Sequence, residues 1–280
     1  MISPLREDLP NPLDEDSTPV VARTGDLQWS LPMAALGLLL VMTTVPMVAG
    51  QRGVGITGNT SPFKGYSGIR VQPDAKRMAY YHEQTVAVVE VGPARELYNC
   101  ELIEVYKSGE LKMALRNLSS FAKPYRLTFE EMVELMTLCN QLSSPYTPSD
   151  RSGGGGRAIP NINPVTILSG ILPGTKWCGA GDLAKNYFDL GAEANLDKCC
   201  RAHDLCPVKV RAYTSRYNLT NKSLYTKSHC TCDALLQQCL KSSHNPLADI
   251  MGNIYFNLLK VPCVRQSKER SVFQPAERYS

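Results

Sequence analysis

The chain holds only four histidines and two tryptophans in 280 residues, and it has no block of lysine and arginine. Without such a block, or any nucleic-acid recognition motif, there is no electrostatic footprint for DNA or RNA, and no nucleic-acid partner is expected. Paired CxxC hooks are absent too, which argues against a finger-type zinc site. Cysteine is scarce outside one stretch: eight of the ten fall between Cys178 and Cys263, and only Cys100 and Cys139 lie elsewhere. An even, closely spaced set of this kind reads as a disulfide framework in an exported chain. A hydrophobic content of 43% suits a globular protein, and the length allows one domain or two small ones.

Charge is unevenly spread. Residues 171–280 carry 15 Lys+Arg against 9 Asp+Glu, while the remainder carries 15 against 17. The basic part suits an anionic partner such as a lipid surface, and it suits plain solubility equally well.

Residues 1–30 are acidic and proline-bearing, with two arginines against six acids, and read as a disordered leader. No charge falls between Asp26 and Arg52, and residues 31–50 read as a signal peptide or a membrane anchor. Translation from Met33 would give a compact signal peptide. The positive-inside rule puts the Arg52 side in the cytoplasm, but the cysteines favour export, with a membrane-anchored, lumenal domain as the alternative. Sequons at Asn59, Asn117, Asn218 and Asn221 agree with export.

Residues 51–142 read as a small accessory or pro-region without chemistry. Its first part, 51–75, is rich in Gly, Ser and Pro and reads as loop. QTVAVVEV (84–91) and CELIEVY (100–106) read as strands, and TFEEMVELMTLCNQL (128–142) reads as a helix with Thr128 as cap and Glu131 three residues on. Cys100 and Cys139 are natural partners across strand and helix. His82 stands without a motif. Residues 143–164, including RSGGGGR, read as a flexible linker.

The chemistry concentrates in three pieces: PGTKWCGAGD (173–182), DKCCRAHDLCP (197–207) and CTCD (230–233). Read as a helix started by Asp197, the second piece points Cys199 and Cys200 about 100° apart, so they must reach different partners. Cys199, His203 and Cys206 share helical spacing, as do Cys200 and Asp204. His203 and Asp204 are thus held between cross-links, as a preorganised pair requires. The third piece opens another helix, from which Asp233 can meet the second ring nitrogen of His203 and fix its tautomer. In the first piece, Gly179 and Gly181 let backbone carbonyls converge without side-chain clashes. Calcium takes such oxygens together with a carboxylate. A zinc reading is weaker, because one histidine stands among eight cysteines arranged as CC and CxC. His229 and His244 read as surface residues, and Asp182 and Asp189 as solvated.

These three pieces, with Gly252-Asn-Ile-Tyr255-Phe-Asn-Leu258, resemble group III secreted phospholipase A2, over about residues 171–263. The resemblance implies a mainly α, disulfide-rich catalytic domain at 165–263, with two long antiparallel helices and a calcium loop, preceded by the small α+β accessory or pro-region. A short hairpin is expected near 210–228. His203 then looks like the general base, Asp233 like its orienting partner and Tyr255 like the hydroxyl steadying the site. Asp204 looks like the carboxylate ligand of Ca2+, and Trp177, Gly179 and Gly181 like its carbonyl ligands. The family pairing implies Cys178–Cys200, Cys199–Cys239, Cys206–Cys232 and Cys230–Cys263. The implied activity is calcium-dependent hydrolysis of the sn-2 ester of glycerophospholipids at a membrane or micelle surface, by a secreted enzyme. The rival reading is a non-catalytic secreted receptor ligand on the same scaffold. The venom form has a further cysteine pair beyond Cys263; this sequence lacks it, and 264–280 is expected to be a loose tail.

Overall fold

A computed structural model describes residues 66–142 and 170–280. The leader, the apolar run 31–50, the linker and the sequon at Asn59 lie outside the described residues. Among the described residues no helix is long and apolar enough to cross a membrane.

The first part is built on a four-stranded sheet in the order β3-β2-β1-β4. Its strands are β1 (Lys76–His82), β2 (Thr85–Val91), β3 (Leu97–Glu104) and β4 (Pro124–Arg126), with β4 parallel to β1 and the other pairs antiparallel. Every residue of β2 is buried, which explains its almost unbroken apolar run: both faces are covered. Val86 and Val88 face a layer containing Ala114 and Leu118 of α1 (Ser108–Leu118). Ala87, Val89 and Val91 face the opposite way, as the two-residue repeat of a strand demands. There they join Met132, Leu135 and Met136 of α2 (Phe129–Gln141). Thr128 and Glu131 form the capping box of α2, and Cys139 of α2 is bonded to Cys100 of β3.

That second layer does not stop at α2. The same core continues through Trp177, Leu196, Leu205, Leu236 and Tyr255. The N-terminal sheet and the cysteine-rich part therefore share one hydrophobic interior and belong to one compact unit.

The second part combines helices with short strands. Its helices are α3 (Ala194–Asp204), α4 (Cys230–Ser242) and α5 (Pro246–Gly252), and α5 runs on into a π-helical turn, Asn253–Leu258. Between α3 and α4, β5 (Lys209–Val210) pairs with β8 (Lys227–Ser228), and β6 (Ser215–Arg216) with β7 (Leu219–Thr220). Asn221, at the end of this hairpin, is fully buried, and its amide donates to the carbonyls of Val210, Arg211 and Tyr225. Its nitrogen is committed, so this sequon is closed to a glycan. Asn117 and Asn218 are exposed.

The tail departs from the sequence expectation. Cys263–Gln266 and Ser271–Gln274 form an antiparallel hairpin, β9 and β10. Tyr279 is 7% exposed and lies on Gly252, where an added Cβ would sit 2.5 Å from its ring. Its hydroxyl donates to Asp249 at 2.9 Å, and its backbone pairs with the Asn257 amide. Strand pairing and one aromatic anchor do here what a further disulfide would otherwise do.

Candidate active site

Four disulfides assemble the site. Cys199–Cys239 joins the middle of α3 to the end of α4, and Cys206–Cys232 joins the residues just after α3 to the start of α4, so the helices run in opposite senses, with His203 between the two bridges. At three turns each they are shorter than the long pair expected. Cys178–Cys200 fastens the glycine-rich loop to α3, and Cys230–Cys263 fastens the start of α4 to β9. All ten cysteines are paired.

The helix carrying His203 begins at Ala194, three residues before the expected start. Asp197 is therefore inside its first turn and wholly buried. Its carboxylate accepts the backbone N–H groups of Lys176, Trp177 and Gly191 at 2.8–3.0 Å. Burial raises its pKa, and these donors pull the other way. Asp197 is thus the tie between α3 and the loop, a role that the capping reading missed. Asp189 is also engaged: it pairs with Lys176, accepts from the Lys185 N–H and offers its carbonyl to the Trp177 indole.

Within the loop, Gly179 is pressed against the strand-like segment at Ile171. An added Cβ would lie 2.2 Å from the Gly170 carbonyl oxygen and 2.7 Å from the Ile171 Cα. Gly181 has φ +100°, a conformation that L side chains rarely adopt. Both glycines are required by the backbone path, and the Trp177 ring is buried at 1% exposure.

His203 Nε2 lies 2.7 Å from Asp233 Oδ1. Asp233 sits in the first turn of α4. The carboxylate can only accept here, so Nε2 carries the proton and Nδ1 carries the lone pair. On that side is Asp204, whose Oδ1 is 4.0 Å from Nδ1 and whose side chain is about one-third exposed. The Tyr255 hydroxyl donates to Asp233 Oδ1 at 3.2 Å and is 3.4 Å from His203 Nε2, with its ring edge-on to the imidazole. Burial, and then the neighbouring Asp233 carboxylate, hold the Tyr255 phenol well above its ordinary pKa, so it remains a donor. Asp233 Oδ2 is buried without a hydrogen-bond partner.

The structure thus brings His203, Asp233 and Tyr255 into hydrogen-bond contact, with Asp204 beside them. Trp177, Gly179 and Gly181 are tethered to the same helix through Cys178–Cys200 and Asp197. Among the described residues no three His, Cys, Asp or Glu side chains gather as a metal cage. A cation beside Asp204 would accordingly draw on backbone carbonyls. One carboxylate with loop carbonyls is an all-oxygen donor set, which fits a hard divalent ion such as Ca2+. His229, expected at the surface, instead caps α4, accepting from the Thr231 N–H and packing on Phe129 with ring centroids 4.1 Å apart.

Fold and site define a disulfide-stapled domain in which a histidine pairs with a buried aspartate, on a helix cross-linked to a glycine-rich loop. Residues 171–267 match the protein-family model described as Phospholipase A2. The phospholipase A2 large subunit of Chersonesometrus fulvipes is 47% identical over 94 residues, which are 32% of this chain and 90% of that protein. Group 3 secretory phospholipase A2 of Bos taurus is 40% identical over 121 residues, 43% of this chain and 24% of that protein. The Homo sapiens protein of the same name is 45% identical over 92 residues, 33% and 18% respectively. The chain belongs to the phospholipase A2 family. It spans about a quarter or less of the length of the two mammalian relatives.

Proposed function

We propose that this chain is a secreted, calcium-dependent phospholipase A2 that hydrolyses the sn-2 ester of glycerophospholipids. The observation that carries the reading is the dyad: Asp233 holds Nε2–H of His203, which aims a basic Nδ1 at the side where Asp204 stands.

In this reading a water donates its proton to His203 Nδ1 as its oxygen adds to the ester carbonyl carbon. Asp233 stabilises the imidazolium that forms, and Tyr255 keeps the shared carboxylate oxygen in place. The imidazolium then returns the proton to the departing sn-2 alkoxide oxygen. A free fatty acid and a lysophospholipid result, with no covalent enzyme intermediate. Asp204 and the carbonyls of Trp177, Gly179 and Gly181 would hold Ca2+, which when bound supplies positive charge for the substrate phosphate and the developing oxyanion.

The substrate lies in a lipid aggregate, and the exposed apolar residues suit such a surface. Ile250, Ile254 and Leu258 recur every four residues on the segment that carries Tyr255 and are 47%, 37% and 74% exposed; Leu183 of the loop is 47% exposed. Export agrees with the five disulfides and with relatives named as secretory.

The test is release of label from sn-2-labelled phosphatidylcholine vesicles by the purified chain, with calcium and with chelator. Labelled fatty acid that appears only with calcium is the expected result. Label retained in the lysolipid, or release that is indifferent to chelation, would contradict the reading.

A further inference from the structure

Helix α3 ends on Asp204, and the last carbonyls of a helix have no partner inside it. The N-terminal sheet reaches across to meet them. Thr85 Oγ1, fully buried, donates to the Leu205 carbonyl at 2.7 Å. The ammonium of Lys209 donates to the carbonyl of Asp204 itself. Lys209 is 4% exposed and is held by Glu104 Oε1 at 2.5 Å, an oxygen that Arg211 also reaches at 2.8 Å. Thr85 opens β2, Glu104 closes β3, and the two are register partners. Gln84, one residue earlier, donates its N–H to the Pro207 carbonyl at 3.1 Å and its Nε2 to the Lys209 carbonyl at 2.8 Å. One end of the sheet is therefore clamped onto residues 204–209.

We propose that the N-terminal sheet is part of the enzyme's working site, with Thr85, Glu104 and Lys209 as positioning residues for the Asp204 carboxylate. The proposal rests on the reading of Asp204 as the calcium ligand. An aspartate carboxylate follows its own Cα closely, because only two side-chain torsions separate them. A terminal helical turn left uncapped frays, and its carboxylate would wander with it. A cation at the C-terminal end also matches the helix dipole there. Groups that orient a metal ligand from behind typically change metal affinity by about 10- to 100-fold when removed.

The test is calcium binding by isothermal titration calorimetry on the full chain, comparing wild type with Thr85→Val, Thr85→Ser, Glu104→Gln and Lys209→Met. Thr85→Val is nearly isosteric and keeps the strand shape, so it guards against a variant that fails to fold. We expect calcium Kd to rise about tenfold or more in Thr85→Val, Glu104→Gln and Lys209→Met, while Thr85→Ser, which keeps the hydroxyl, stays near wild type. At saturating calcium their kcat should return towards the wild-type value. Lower melting temperatures with unchanged Kd in every variant would show a purely structural clamp and overturn the proposal. A wild-type chain that binds no calcium would instead overturn the reading of Asp204, and the proposal with it.

Discussion

At the residue scale, several side chains that matter most are held by partners far away in sequence. Glu104 illustrates this. Burial alone would raise its pKa, but Lys209 and Arg211 bring it down to about 2, against an unfolded value of 4.5. Its folded value is the lower one, so its contribution to stability is complete above pH 4.5 and is lost as the pH falls towards 2. The shift corresponds to roughly 3 kcal/mol. Urea unfolding followed from pH 5 to pH 2 should therefore show a steeper loss for wild type than for Glu104→Gln. Parallel slopes for the two proteins would contradict this assignment. Residue spacing within a few helical turns was legible: His203, Asp204 and the cysteines around them read correctly as a pinned helix. Glu104 and Lys209 were not legible, because nothing local links a strand-end glutamate to a lysine 105 residues later. Asp197 was misread for a different reason. An aspartate before a helical run looks like a cap, and only the loop folded back on it shows that its oxygens serve other amides.

At the scale of elements, periodicity identified β2, α2 and the two cross-linked helices. It missed β1 and α1. KRMAYYH alternates poorly because its ends are charged or half-buried, and α1 buries only Ala114 and Leu118 deeply against the sheet. The tail was read as loose because it lacks cysteine, whereas its order comes from hairpin pairing and Tyr279. The π-helical turn carries Tyr255 inward and leaves Leu258 at 74% exposure. Replacing Leu258 with glutamate should cost little stability at so exposed a position. It should lower hydrolysis of vesicle lipid several-fold while sparing a dissolved short-chain ester, as measured in parallel assays. Equal loss on both substrates would place Leu258 outside any lipid contact.

At the scale of the whole molecule, one core runs from the N-terminal sheet through the cysteine-rich part, and the tail closes it. A sequence reading divides the chain at the glycine-rich linker, since composition changes there; tertiary packing joins what composition separates. Tyr279 marks the far edge of this core, stacked near Phe256 and bonded to Asp249 and Asn257. Tyr279→Ala removes a buried aromatic and should destabilise the fold by about 3–5 kcal/mol. Denaturant unfolding would check this, and a change below about 0.5 kcal/mol would restore the picture of a loose tail.

The account rests on the imidazole of His203 acting as base while Asp233 orients it. The most direct measurement is calcium-dependent release of the sn-2 fatty acid by wild type and His203→Gln, both purified as full chains and shown to be folded. The account predicts a fall of about 100- to 10,000-fold in kcat with the melting temperature nearly unchanged. Activity in the variant within a factor of two of wild type would contradict it.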